Sequence, residues 1–422
     1  MRAVPLALPD PCLVVLCGPA AAGKSSFAAR WFAPTEIVSS DALRGMLGDD
    51  PDRQDINEQT FEVLHRVVEI RLALGRTTVV DATNLETDAR AALRRIARSQ
   101  RLPAHLVVFR ADPATLRARN QERDRRVPNS VLGQHLMLLS GLDGAMSKER
   151  WDGLHEVDAA ALDLISVERV PLAPIRVDER GPFDIVGDVH GCLDLLDRLI
   201  AELGYDADGK HPDGRRLVFV GDLVDRGPSS VGVLRRVLPW LEDGTALWVP
   251  GNHDDKLWRW LQGRAVNATG VLRTTIDEWE RLGDTEDRAL RARFDRVMVD
   301  APPYLLLDGG QLLVSHAGLE EKDHGRVGPG IRAFCLYGKT TGKEVDGYPE
   351  RLDWAGEYAG APAVVYGHVP VRQAVWRNNT VDIDLGAVFG GALCAVRWPE
   401  RTFVTIPAKT SWVEGTRWET WT

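Results

Sequence analysis

The chain carries Gly18-Pro-Ala-Ala-Ala-Gly23-Lys24-Ser25 directly after the apolar run LVVLC at 13–17 and directly before the helix-compatible stretch SSFAARWF. This GxxxxGK[ST] spacing, set between a strand and a helix, constrains the fold more than any other feature. Its glycines let the backbone curl until several N–H groups and a helix N-terminus face one anion. Lys24 then reaches the terminal phosphates of a nucleoside triphosphate, and the Ser25 hydroxyl is placed to hold Mg²⁺. Gly18, Gly23, Lys24, Ser25 and Ser26 are the expected nucleotide-binding residues. Such a loop needs a parallel sheet behind it. Further runs at EIVS (36–39), TTVV (77–80) and HLVVF (105–109) alternate with amphipathic stretches, the rhythm of βα units. On sheets of that kind the chemistry collects beyond the carboxyl ends of the strands, so Gly18, Ser40, Asp81 and Arg110 should mark one face.

Nucleotide binding alone does not make a phosphotransferase, because an acceptor must also be activated. Asp41, at a predicted strand end, can take the proton of an attacking hydroxyl, which a simple nucleotide hydrolase does not need. The competing reading makes Asp41 a helix N-cap. Arg44 follows one helical turn on, on the same face. Asp81, opening Asp81-Ala82-Thr83-Asn84, suits a carboxylate that holds magnesium through water. From residue 90 to 126, eleven arginines stand against three acidic residues. Arg119 and Arg123 are four apart and should share a helix face suited to closing over the polyphosphate. Most arginine-rich helix faces are merely solvated, which is the competing reading for the rest of the run.

Different motifs fill the second half: Asp188-Val-His190, Gly221-Asp222-Leu-Val-Asp225-Arg226-Gly227, Gly251-Asn252-His253-Asp254, Ser315-His316-Ala317-Gly318 and Gly367-His368, each after an apolar strand-like run. Hydrolysing an unactivated phosphate ester near neutral pH needs a strong nucleophile and neutralised phosphoryl oxygens, and two adjacent divalent ions supply both. Mixed carboxylate, imidazole and amide donors favour Mn²⁺, Fe or Ni²⁺ over calcium or a thiolate zinc site. In this reading Asp188 and His190 hold one ion, Asp222 bridges, and Asn252, His316 and His368 hold the second. Arg226 forks onto the phosphate, while His253, oriented by Asp225, protonates the leaving oxygen.

A length of 422 residues exceeds one ordinary core, and 44% apolar content with 27% charge is that of a globular protein. The mixed Pro and charged stretch at 168–182 suits a connection, giving expected domains 1–170 and 181–422. A net charge of −9 excludes a protein that coats nucleic acid and confines any polynucleotide contact to a local basic strip. The acidity is uneven: 22 basic and 23 acidic residues up to 170, then 30 and 38 beyond it. Five scattered cysteines without a CxxC pair read as free thiols, and neither a signal peptide nor a membrane span is evident. A cytoplasmic protein is expected. Trp412, Trp418 and Trp421 near the end are expected to pack onto the body.

The second motif set resembles the binuclear metallophosphoesterases, with the GDxxDRG and GNHD forms shared by Ser/Thr protein phosphatases and diadenosine tetraphosphatases. Together with SSD, DATN, RNxxRDRRVP (119–128) and FCLYGKTTG (334–342), the chain resembles the bacterial polynucleotide kinase-phosphatases over roughly residues 12–408. That resemblance implies an α/β fold: a P-loop kinase domain with a parallel sheet, then a calcineurin-like metallophosphoesterase α/β sandwich. It implies phosphorylation of 5′-OH ends by ATP or another nucleoside triphosphate with Mg²⁺. It also implies removal of 2′,3′-cyclic, 2′- or 3′-phosphate from RNA ends with two divalent ions, Mn²⁺ or Ni²⁺. By the same resemblance Asp41 is the general base, Arg44 an acceptor-strand contact, Arg119 and Arg123 lid arginines, and Asp384 a further acidic site residue. RNA ends, with DNA ends as a wider option, are the expected partners. Relatives of this type continue into a ligase domain, whereas this sequence stops at Thr422, so sealing is expected of a separate ligase in trans. Two other readings stay open: a protein phosphatase or dinucleoside polyphosphatase joined to a small-metabolite kinase, and a nucleotide-sensing scaffold with degenerate sites.

Overall fold

In a computed structural model the protein is described at residues 4–123, 126–345 and 348–413. Trp418, Trp421 and Arg125 lie outside those residues, whereas Trp412 packs against a core cluster of the second half. The chain forms two compact units, residues 1–172 with 326–328 and residues 173–325 with 329–422.

The first unit contains strands β1 (Val4–Asp10), β2 (Leu13–Cys17), β3 (Ile37–Ser39), β4 (Thr78–Asp81), β5 (Ala104–Arg110), β6 (Gly153–Asp158) and β7 (Ile165–Pro171). Five of them make a parallel sheet in the order β3-β4-β2-β5-β6. Leu13 to Cys17 are wholly buried, as expected of a central parallel strand covered on both faces. Val14, Leu16, Val107 and Phe109 pack against Phe27 of the helix Lys24–Trp31 and Leu116 of the helix Pro113–Glu122. Strands β1 and β7 pair in parallel as a separate ribbon. The stretch 168–171, expected as part of an exposed connection, is therefore strand. Its partner β1 carries Pro5 and Pro9, residues confined to edges because they cannot donate to a ladder, yet Leu6 and Leu8 alternate inward and anchor it.

Among its described residues the second unit has eleven strands: β8 (Phe183–Val186), β9 (Arg216–Phe219), β10 (Ala246–Trp248), β11 (Tyr304–Leu307), β12 (Leu312–Ser315), β13 (Thr340–Val345), β14 (Tyr348–Arg351), β15 (Ala363–Tyr366), β16 (Thr380–Asp382), β17 (Ala392–Trp398) and β18 (Thr402–Pro407). One sheet runs β10-β9-β8-β17-β18, a second β11-β12-β15-β16, and β13 and β14 form a hairpin. Alternation along the strands builds the layers. Ile185, Val218 and Val396 of the first sheet meet Leu305, Val314 and Val365 of the second in one buried cluster. Val186 and Phe219 point the other way, onto Leu199, Leu234 and Leu257 of covering helices. On the outer face of the second sheet, Leu313 and Val364 pack with Ile331 and Trp354. The result is the α/β sandwich expected from the motifs, with the motif residues just past the strand ends.

Candidate functional site

Residues following β8, β9, β10, β12 and β15 converge in the second unit. Ligand atoms of His190, Asp222 and His253 lie within 4.8 Å of one another, as do those of Asp222, His316 and His368. Asp222 is common to both groups, the place a bridging carboxylate must occupy. His190 Nδ1 faces Val224 O at 2.9 Å and His316 Nδ1 faces Val220 O at 3.0 Å. Donation from each Nδ1–H to a carbonyl fixes the tautomer and leaves Nε2 as the lone pair aimed into the cluster. His316 Nε2 lies 3.0 Å from both Asn252 Oδ1 and His368 Nδ1.

The backbone is strained to make this convergence. His190, Asp222, Asp225, Arg226 and His368 all adopt φ between 45° and 77°, a region costly for residues with side chains and concentrated at functional sites. The glycines preceding the ligands have a steric reason as well. A Cβ on Gly251 would overlap the Asp222 carboxylate, and one on Gly367 would overlap that of Asp188.

Two divalent cations fit this donor set on the structure's own terms. Asp188 Oδ1 is buried with no hydrogen-bond partner among the described residues, while its Oδ2 accepts from His368 N at 3.1 Å. Burial raises the Asp188 carboxyl well above its ordinary range, with Asp384 and Asp222 adding repulsion. Burial does the same to Asp222, with Asp254 adding repulsion. Enclosed anions without a counter-charge are costly, and cations at the centre supply that charge. Asp382, on β16, is half-buried and adds its field to Asp188.

The proton-handling groups sit at one rim. His253 Nδ1 is 2.7 Å from Asp225 Oδ2, and its Nε2 is 4.0 Å from Asp222 and 3.2 Å from Arg226 Nη2. Asp225 accepts from Thr275 Oγ1 at 2.6 Å through its other oxygen, and its backbone N donates to Ser230 Oγ at 2.9 Å. Burial pushes Asp225 up to about 7 and His253 down to about 3, driving both toward their neutral forms. Arg226 lies over the Phe389 ring at 5.2 Å, and its buried Nε has no hydrogen-bond partner among the described residues, a donor available to an anion. Asp384 accepts from Gly386 N at 2.9 Å and lies within the field of Arg226.

Sequence reasoning quoted Asp254 without giving it a role and missed Thr275. Asp254 accepts from Gly251 N at 2.9 Å and Leu223 N at 3.0 Å, locking the two metal-binding turns together. Its signal was present, as one of two acidic residues in the first turn of the helix Asn252–Leu261. Thr275 lies on the helix Val271–Trp279, about fifty residues from its partner, and nothing local marks it.

In the first unit Gly23 caps the helix Lys24–Trp31 at φ 93°, and Lys24 Nζ donates to Gly18 O at 2.9 Å and Pro19 O at 2.8 Å. Burial lowers Lys24 to about 8, with Asp81 and Asp41 opposing and Arg123 adding to the fall. Burial raises Asp81, and a hydrogen bond from Ser25 opposes it. Lys24, Ser25, Asp81, Asp41 and Arg123 thus form one electrostatic neighbourhood. Ser26 occupies the same helix start, exposed. His135 was not anticipated: its Nδ1 accepts from Ala20 N of the loop at 3.4 Å.

Three expectations need correction. The cap of the helix Ser40–Gly48 is Ser39, whose side chain accepts from Ala42 N, and Asp41 stands in the first turn. Arg44 does not reach outward. It is buried, donating to Asp41 Oδ1 at 2.6 Å and Asn57 Oδ1 at 2.8 Å, and so holds the carboxylate. Arg119 and Arg123 do not share a helix face, because the helix ends at Glu122 and Arg123 is extended at ψ 140°. Arg119 donates to Ala159 O at 2.8 Å and lies beside Gly23. Arg90 is engaged in the interior, paired with Glu149 at 2.6 Å.

A P-loop unit with a parallel sheet and a sandwich carrying a two-cation donor set define a fused phosphotransferase-type and phosphoesterase protein. A family model described as AAA domain matches residues 13–141, and one described as calcineurin-like phosphoesterase matches residues 181–388. Bis(5′-nucleosyl)-tetraphosphatase PrpE, asymmetrical, from Anoxybacillus flavithermus is 44% identical over 235 residues, covering 55% of this chain and 96% of that protein. The protein of the same name from Halalkalibacterium halodurans is 47% identical over 231 residues, covering 54% and 94%. Through its second unit the chain belongs to the calcineurin-like phosphoesterases and is an enzyme of phosphoester chemistry. Its first unit is kinase-like. Among the described residues no helix is long and apolar enough to cross a membrane.

Proposed function

We propose that the protein heals nucleic-acid ends, phosphorylating 5′-OH termini with its first unit and removing 2′,3′-cyclic, 2′- or 3′-phosphate from RNA with its second. The observation that carries this reading is Asp41. A carboxylate beside Lys24 and Asp81, gripped by Arg44 and not serving as the helix cap, belongs to transfer onto a hydroxyl and is superfluous for nucleotide hydrolysis. Asp41 takes the proton of the acceptor hydroxyl, and Arg44 keeps its oxygen in place. Lys24 and Arg123 neutralise the phosphoryl oxygens, and Ser25 with Asp81 provides the oxygens for Mg²⁺.

In the second unit Asp188, His190, Asp222, Asn252, His316 and His368 would hold two divalent ions, with Mn²⁺ the first choice. Such a pair supplies Lewis-acid polarisation and a nucleophile at neutral pH. Arg226 binds a phosphoryl oxygen through its unpaired Nε. His253 delivers a proton to the leaving oxygen while Asp225 and Thr275 fix its ring. A second reading, hydrolysis of dinucleoside tetraphosphates, is supported by the 44% identity to the tetraphosphatase of Anoxybacillus flavithermus.

One experiment separates them. An RNA oligonucleotide with 5′-OH and 2′,3′-cyclic phosphate ends is incubated with ATP, Mg²⁺ and Mn²⁺ and the wild-type, Lys24→Ala or Asp222→Ala protein, with diadenosine tetraphosphate in parallel. End healing requires 5′-phosphorylation lost in Lys24→Ala and 3′-end dephosphorylation lost in Asp222→Ala. Untouched RNA ends with rapid cleavage of the tetraphosphate would replace it with the second reading.

A further inference from the structure

A cavity of about 200 Å³ opens beside the metal centre, with His368 in its wall. Its other lining includes Lys339 at the start of the β13–β14 hairpin, Arg351 at the hairpin's end, Leu352, Val369, Trp354 and Tyr366. Leu352 and Val369 are large apolar side chains left 43% and 39% exposed at the mouth, and the buried Trp354 ring stands 5.0 Å from that of Tyr366. Arg351 donates to Tyr337 O at 2.6 Å and lies 2.8 Å from His368 Nε2, and among the described residues it has no carboxylate partner. Lys339 pairs with Glu320 at 2.6 Å, and Glu320 also binds Lys322 at 2.7 Å, so that trio keeps a net positive charge. The acidic Asp353 at the rim is neutralised by Arg377 at 2.8 Å. Asp382 also lines the cavity and adds its field to Asp188 at the metal centre, so an apolar slot with Arg351 and the Lys339 trio as its cations, next to the reacting centre, has the complement of a base and a phosphate.

We infer that this cavity is a nucleoside subsite, its apolar walls taking one base and Arg351 with Lys339 taking a phosphate other than the one being cleaved. The volume lies below the ~300 Å³ usual for drug-sized ligands, so it takes one nucleoside unit. The inference rests on the phosphoesterase reading of the adjacent centre and is shared by an RNA terminus and a dinucleoside polyphosphate.

The test compares kcat/KM for p-nitrophenyl phosphate, which has neither base nor second phosphate, with that for a 3′-phosphorylated diadenosine, diadenosine tetraphosphate and a phosphoserine peptide. It uses the full chain with Mn²⁺ in wild-type, Leu352→Trp and Lys339→Ala forms, with melting temperatures confirming folding. Expected is a fall of about tenfold in the ratio of nucleotide to p-nitrophenyl phosphate kcat/KM in Leu352→Trp, carried by KM, and a smaller fall in Lys339→Ala. Which nucleotide responds identifies the source of the base. Equal ratios in all three proteins, or a peptide preferred over both nucleotides and sensitive to Leu352→Trp, would overturn the subsite. Absence of p-nitrophenyl phosphate turnover in the wild type would instead sink the phosphoesterase reading.

Discussion

The two sites handle the same kind of substrate atoms by opposite means. In the second unit most of the ligands are buried, several on left-handed backbone, and carboxylates face one another with Arg226 offsetting only part of their charge, so the geometry is fixed in advance and further charge must be imported. In the first unit the loop's lysine satisfies itself on Gly18 O and Pro19 O, and the Asp41 side chain is 48% exposed. There the charges are nearly matched within the protein, and the substrate must reorganise them. A site of the first sort depends on cations for stability as well as chemistry, whereas a site of the second sort depends on them for chemistry alone.

The sharpest break in that comparison is His253→Gln. It should lower kcat on alkyl phosphate esters by about 10²–10⁴-fold, the usual worth of a proton donor, with a much smaller loss on p-nitrophenyl phosphate, whose leaving group needs no proton. Equal losses on both substrates in steady-state assays would make His253 a ligand, as its grouping with His190 and Asp222 allows. Next, Thr275→Val should cost roughly 10–100-fold in activity, as loss of an outer partner of a metal site does, with recovery in Thr275→Ser. A mutant whose pH profile and kcat match wild type would remove Thr275 from the positioning of Asp225. Third, Mn²⁺ added to chelated protein should raise the melting temperature of the second unit. A concentration of 100 times Kd is worth about 2.7 kcal/mol, and Asp222→Asn should abolish the rise. A melting temperature indifferent to chelation would count against a preformed high-affinity centre.

Much of this contrast was legible in the sequence because both sites lie at strand ends, where a short apolar run stops at a ligand-type residue. LVVLC, FDIV, RLVF and AVVY are such runs, and each became a strand ending at a motif. What escaped was held by distant partners or by weak local pattern. Strand β6 alternates exposed residues with few apolar ones, and β1 and β7 contain prolines that read as punctuation until the two pair with each other. Arg123 fell off its helix because the helix ends one residue earlier, which a four-residue spacing does not reveal. Thr275, Asp382 and Arg351 reach their sites only through tertiary packing, and none sits in a recognisable motif.

The smallest effect concerns the first unit, at a histidine pair on its sheet. His105 on β5 stacks on His155 of β6 at 5.3 Å, with their ring nitrogens 3.0 Å apart, and its ring covers Gly153, where a Cβ would collide with it. Burial lowers His105 to about 4, the nearby His155 adds to the fall, and Asp152 opposes it. Burial lowers His155 as well. A histidine whose folded pKa lies below its unfolded value binds fewer protons when folded. Its contribution is therefore complete above the unfolded value near 6.5 and is lost as the pH falls toward about 4. Between pH 7 and 5.5 the linkage amounts to about 1 kcal/mol, measurable as faster hydrogen exchange at the β5 and β6 amides after correction for the intrinsic rate. His105→Gln should flatten that dependence, since it keeps a polar partner for His155 without a proton to gain. An unchanged pH dependence in the variant would shift the acid sensitivity of the first unit to other groups.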